Sequence, residues 1–176
     1  ISILVFLGPA IILLIFGLLA PTIKTLIFSF KDAYSNHYVG FRNYAWVFTD
    51  PDMHKVLINT ILWFVIAPFA TTGLGLLLAV LLDRMKRESI AKSLLFMPMA
   101  ISFVGASIIW GFVYDFRNQG DPQTGLLSTI VRHLGFTPTN WILTQPLNTF
   151  LLMVIYIWVQ TGFAMVILSA AIKAVP

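Results

Sequence analysis

Gln160 has the strongest claim to chemistry in this sequence, because a primary amide inside a long uncharged run is costly unless it faces protein, water or a ligand. Tyr156 and Phe163 stand four residues before it and three after, so the three share one helical face. A second stripe at helical spacing holds Met99, Phe103, Trp110 and Tyr114, with Ser102 and Ser107 beside it. The other polar groups in the apolar runs are uncharged as well: Asn59, Thr60, Thr71, Thr72, Thr161 and Ser169. Neutral hydrogen-bonding groups next to aromatic faces suit an uncharged polyhydroxyl ligand, whose hydroxyls need partners and whose rings stack; a sugar fits that description. Packing accounts for the same residues too, since Ser and Thr often bond to their own helix and stripes of large side chains often pack against neighbours.

Other chemistries lack their residues. There is no Cys, hence no disulfide framework, thiolate metal site or cysteine nucleophile. His37, His54 and His133 fall in or beside polar connections, with no HExxH spacing and no carboxylate pair, so neither a catalytic constellation nor a metal site can be assembled. No G-x-x-x-x-G-K-[ST] loop is present to cradle phosphates, so no cofactor is expected on this chain. The net charge of +4 is spread over short connections rather than a solvated domain, which excludes a nucleic-acid partner. Lys24, near the end of an apolar run, is expected to snorkel to the membrane interface.

The elements that must position these residues are membrane spans. Of 176 residues, 59% are hydrophobic and 10% charged, with a mean hydropathy of +0.89; a soluble domain carries about a quarter charged residues. Four stretches contain no Asp, Glu, Lys or Arg: residues 1–23, 56–82, 93–114 and 133–172. Each meets the roughly 20 residues needed to cross a hydrocarbon core of about 30 Å. We expect an all-α polytopic helix bundle, one transmembrane domain over 1–176, with spans at about 3–30, 59–82, 93–114 and 150–172. The pairs Gly75/Ala79, Ser102/Ala106 and Ser107/Gly111, each four apart, predict faces where helices approach closely.

Between the second and third spans, residues 83–92 hold four basic residues, whereas 31–55 and 115–132 together hold five among five Asp. By the positive-inside rule the loop 83–92, Lys173 and the N-terminus are cytoplasmic. Residues 31–55, with their interfacial aromatics, read as a structured external loop in preference to a short surface helix begun at Asp50-Pro51. A further short surface helix is expected at 126–134.

Five strings, in order, resemble the inner-membrane permease subunits of ABC importers for di- and oligosaccharides and glycerol phosphates. They are VGFRNYAWVFTDPDMHKVLINTILWF (39–64), GLGLLLAVLLDR (73–84), SLLFMPMAISFVGASIIWGFVYD (93–115), TGLLSTIVRHLG (124–135) and WVQTGFAMVILSAAIKAVP (158–176). The resemblance implies a multi-pass protein of the bacterial plasma membrane with about six spans, and a Glu-Ala-Ala loop directly after Pro176 that docks on an ATPase. It implies a sugar path lined by Tyr156, Val159, Gln160 and Phe163, with Met99 and Phe103 contributing. It implies as partners a second permease, two ATP-binding cassette ATPases that hold ATP and Mg, and an extracytoplasmic sugar-binding protein, all working with membrane lipid by alternating access.

Rival functions make different demands. A passive channel or ion-coupled carrier calls for an intramembrane charge or a filter-like Gly-rich loop, and an intramembrane enzyme for a buried nucleophile with a base or metal ligands; these residues supply none. An ABC permease for amino acids, phosphate or metal ions would favour buried charges, against the neutral groups found here.

Overall fold

The computed structural model describes residues 2–83, 85–118 and 120–174, so Arg84 of the basic loop and Pro176 lie outside the described residues. Among the described residues the regular elements are helical, joined by an isolated antiparallel bridge between Lys31 and Tyr38. The chain divides into two compact units, Ile1–Ile58 and Asn59–Pro176.

In the first unit α1 (Ser2–Leu14) passes through a π-helical segment (Ile15–Leu19) into α2 (Ala20–Ser29). Pro21 has no N–H to donate, and the turn before it is widened, the Ala20 N–H reaching back five residues to the Ile15 carbonyl. Leu7–Ser29 is long and apolar enough to cross a membrane, and its side chains are exposed or half-exposed throughout.

A built cap ends this span. The Asn43 Nδ2 donates to the Ser29 and Lys31 carbonyls at 2.8 and 2.7 Å, satisfying backbone acceptors at the helix end. Phe30, Phe41 and Tyr44 cluster with ring centroids 5.4 to 6.0 Å apart. Desolvation pushes the Asp32 carboxyl up, but the N–H groups of Asn36 and His37 bond to it and hold it below its ordinary value.

α3 (Arg42–Thr49) follows, and then Asp50, whose Oδ1 accepts the Asp52 and Met53 N–H groups at 3.0 Å each. With Pro51 in the first helical position this is a strong start signal. Residues 51–55 are thus neither part of the external loop expected there nor a short surface helix: α4 (Pro51–Asp83) runs on for 33 residues, so residues 51–58 belong to the same helix as the span after them.

The second unit is organised on α8 (Leu147–Lys173). One side of it meets α4, whose buried positions Ala67, Thr71, Gly75 and Ala79 recur every fourth residue. A Cβ on Gly75 would lie 2.7 Å from the Ala164 Cβ and 2.9 Å from the Met165 nitrogen, so the two backbones touch as the Gly75/Ala79 spacing predicts. Another side meets α5 (Glu88–Ala100): a Cβ on Gly162 would overlap the Leu95 carbonyl oxygen and sit 2.8 Å from the Phe96 Cα. Ala79, Leu82 and Met165 form the centre of the apolar core, with Leu78, Ala91, Leu168 and Ile172 packed around them.

The stretch 93–114, expected as one continuous span, is two helices. α5 and α6 (Phe103–Val113) meet at 97°. Ile101 and Ser102 are extended, and the Ser102 Oγ accepts the Gly105 N–H at 3.1 Å, starting a new helix where the old one stops. Among the described residues three helices are long and apolar enough to span a membrane, or four when the bent pair is counted as one span. Ser102 is thus a cap, although Ala106 four residues on is fully buried. The Ser107/Gly111 pair does not pack within the chain: the Ser107 hydroxyl bonds to the Val104 carbonyl and a Cβ on Gly111 would meet open space.

α7 (Leu126–His133) is more than a surface helix. Its Ser128 is fully buried, donating to the Asp115 carbonyl at 2.7 Å and accepting the Trp141 Nε1–H at 2.8 Å. A Cβ on Gly125, just before it, would overlap the Asp115 carbonyl oxygen. The Tyr114 hydroxyl reaches the Leu151 carbonyl in the first turns of α8 at 3.1 Å.

Candidate translocation path

Two of the three sides of α8 are occupied at mid-height, by α5 at Gly162 and by α4 at Ala164 and Met165. At about 100° per residue, Phe163 points about 100° from both Gly162 and Ala164, Tyr156 about 120° and 80° from them, and Gln160 about 160° and 40°. Phe163 and Tyr156 therefore lie between the two contacts, with Gln160 bordering the α4 side. Phe163 is 43% exposed, and Tyr156 and Gln160 are half-buried. The Tyr156 ring stands edge-on to Trp63 of α4, 5.8 Å between centroids. Among the described residues the Gln160 amide has no hydrogen-bond partner.

Val159 is placed differently. It sits about 60° from Gly162 around the helix and is only 4% exposed, so it packs toward α5 instead of lining an open face. Met99 and Phe103 flank the α5–α6 break, 38% and 60% exposed. The structure thus brings Tyr156, Gln160 and Phe163 together on one helix and Met99 and Phe103 together at one bend.

Several polar and aromatic groups named from the sequence have partners that their spacing does not reveal. Trp110 packs on Tyr114 and on Trp158 of α8, at 5.1 and 5.8 Å between centroids, with its Nε1 buried and unpaired among the described residues. A mostly apolar groove of about 490 Å³ runs beside it, with Leu74, Leu94, Pro98, Ile157, Trp158 and Thr161 in its walls. The Thr161 hydroxyl bonds to the Ile157 carbonyl of its own helix, as expected of a Thr in an apolar run. Ser169 does not: it takes the Lys92 ammonium of α5. That pairing joins residues 77 apart, and no local periodicity reports it.

At the same end of the bundle the charges left by the apolar runs find one another. Lys173 bonds to Glu88 at 2.6 Å and lies 3.3 Å from Asp83, and Lys92 holds Glu88 from within α5. Tyr156, Gln160 and Phe163 of α8 offer a phenol, an amide and a phenyl ring, groups suited to contact and stacking.

No protein-family model matches the sequence. The chain is 49% identical, over 96% of its length, to the osmoprotective compounds uptake permease protein GgtC of Synechocystis sp.. It is 46% identical over 97% of its length to the alpha-glucoside transport system permease protein AglF of Rhizobium meliloti. It spans 60% and 51% of the lengths of these two relatives. In fold it is similar to a chain of a bacterial ABC transporter involved in the import of the acidic polysaccharide alginate, with a TM-score of 0.81 at 18% identity, covering 99% of this chain and 58% of that one. This bundle of long apolar helices is thus similar, along almost its whole length, to two permease proteins with which it shares nearly half its residues.

Proposed function

We propose that residues 1–176 are the part of a permease domain that precedes its ATPase-docking loop, in an ATP-driven importer of a neutral di- or oligosaccharide. The observation that carries this is the likeness, across nearly the whole chain, to relatives named for uptake of osmoprotective compounds and transport of alpha-glucosides. The uncharged face of Tyr156, Gln160 and Phe163, with an amide free to meet a hydroxyl, supports a neutral polyhydroxyl solute. Met99 and Phe103 would line the same path from the α5–α6 bend. Val159 would act from behind, backing the α8 wall against α5.

The chain would supply no catalysis. ATP and Mg would be held by two ATPase subunits, a second permease would complete the cavity, and an extracytoplasmic binding protein would deliver the sugar. The loop 83–92 and the Lys173 end would face the cytoplasm of a bacterial cell, with the N-terminus on the same side. ATP binding would close the ATPases and turn the cavity outward; hydrolysis and release would reset it.

The experiment is uptake of a labelled α-linked disaccharide into vesicles holding the intact permease with its co-purifying partners, with and without ATP. ATP-dependent accumulation is expected. Gln160→Ala should weaken apparent affinity about tenfold, the effect of losing one ligand hydrogen bond at a desolvated site. Uptake that ignores ATP would move a channel to the front, and an unchanged Gln160→Ala would remove that residue from the path.

A further inference from the structure

At the Lys173 end, three helix termini are tied by one set of charges. Asp83 ends α4, Glu88 begins α5 and Lys173 ends α8. The Lys173 ammonium bridges the two carboxylates, 2.6 Å from Glu88 and 3.3 Å from Asp83. Lys92, one turn into α5, binds Glu88 on its own helix and the buried Ser169 one turn before Lys173 on α8. Glu88 therefore accepts from two lysines, and the set balances two carboxylates against two ammonium groups.

The apolar core beside it, Ala79, Leu82 and Met165, already holds the helices together. Burial of that kind is non-directional. Charged hydrogen bonds are directional, so what the cluster adds is the rotational setting of the last turn of α8 against α4 and α5. Removing the Glu88 charge alone would leave Lys92 and Lys173 facing each other without their shared counter-charge, with Asp83 the remaining carboxylate beside Lys173. A cavity of about 580 Å³, with Glu88, Lys92, Phe96, Val166 and Lys173 in its walls, gives the freed turn room to rotate.

We infer that Glu88 is a positioning residue: through Lys92 and Lys173 it fixes the direction in which the chain leaves α8, and so the transmission of ATPase movement into the bundle. This rests on the proposal that the chain belongs to an ATP-driven importer whose docking segment follows α8.

The test uses the intact permease, purified with its ATPase and reconstituted in vesicles. In the Glu88→Gln variant the ATPase still co-purifies and basal ATP hydrolysis stays within about twofold, while solute moved per ATP falls about fivefold or more, the lower range of a coupling effect. Lys173→Met gives the same loss and Lys173→Arg keeps coupling, and this pair carries the test should Glu88→Gln fail to fold. These 176 residues hold no Cys, so spin labels on introduced Lys86→Cys and Ala174→Cys report the exit geometry once any cysteines elsewhere in the complex are replaced by Ser. Their distance distribution should broaden in Glu88→Gln and in Lys173→Met, and stay narrow in Lys173→Arg. Wild-type solute-to-ATP ratios in the Glu88→Gln and Lys173→Met variants would overturn the inference, as would transport and hydrolysis falling by one common factor. A wild-type protein that binds no ATPase is a different result, because it sinks the importer proposal itself.

Discussion

The two ends of α8 are held by opposite kinds of chemistry. At the Leu147 end the partners are neutral and mostly buried, Tyr114 on the Leu151 carbonyl and Thr149 on Asn59 at 3.3 Å, and next to Tyr114 the buried Ser128 ties Asp115 to Trp141. At the Lys173 end they are four charged side chains, with Lys173 half exposed. Buried neutral bonds leave an unsatisfied group behind when broken, so such a network stays shut. The pairs made by the half-exposed Lys173 are worth little each and exchange readily with water, while the Lys92–Glu88 pair is more buried. One end of the helix is built as an anchor, and the other as a joint that can be reset.

The sharpest way to break this contrast is at the anchor. Gly125→Ala drives a methyl into the Asp115 carbonyl and should lower stability by about 3 kcal/mol, the upper part of the usual overpacking range, read as a lower unfolding midpoint by tryptophan fluorescence in detergent. Ser128→Ala removes the hydroxyl shared by Asp115 and Trp141 and should cost about 2 kcal/mol, because two buried groups lose their partner. Glu88→Gln should move the same midpoint less than either. The smallest effect is that of salt: raising ionic strength from about 0.01 to 1 M shortens the screening length from about 30 to 3 Å. It should lower the midpoint of the wild type slightly and leave that of Glu88→Gln nearly unchanged. A Ser128→Ala variant as stable as wild type, or a salt response equal in both proteins, would erase the distinction between the ends.

How far the sequence could be read follows the same division between local and distant causes. Runs without charge reveal an all-helical membrane fold, because desolvation acts on each residue separately. Gly75 was legible through its spacing to Ala79, and it does meet α8. Gly162 was not: Trp158 and Val166 stand four residues to either side, so no small-residue pattern announces the contact with Leu95 and Phe96. The α5–α6 bend was hidden because Ser102 looks the same as a helix cap or as a small packing residue until its backbone is seen. Asp50-Pro51 announced a helix start, while nothing local said that the helix would run on into the span. Tyr156, Gln160 and Phe163 share the face their spacing predicts, whereas Val159, placed by family position alone, turns toward α5. The pairs Lys92–Ser169 and Lys173–Glu88 bridge 77 and 85 residues and belong to the fold rather than to any window of sequence.

The length of α4 brings the surrounding lipid into the account. Its 33 residues rise about 50 Å, and the charge-free part, residues 56–82, alone rises about 40 Å, against a hydrocarbon core of about 30 Å. The surplus is accommodated by leaning, by bending or by thickening the local bilayer. Membrane thickness therefore acts on this protein as a mechanical load, applied along the helix whose Gly75 is locked against α8.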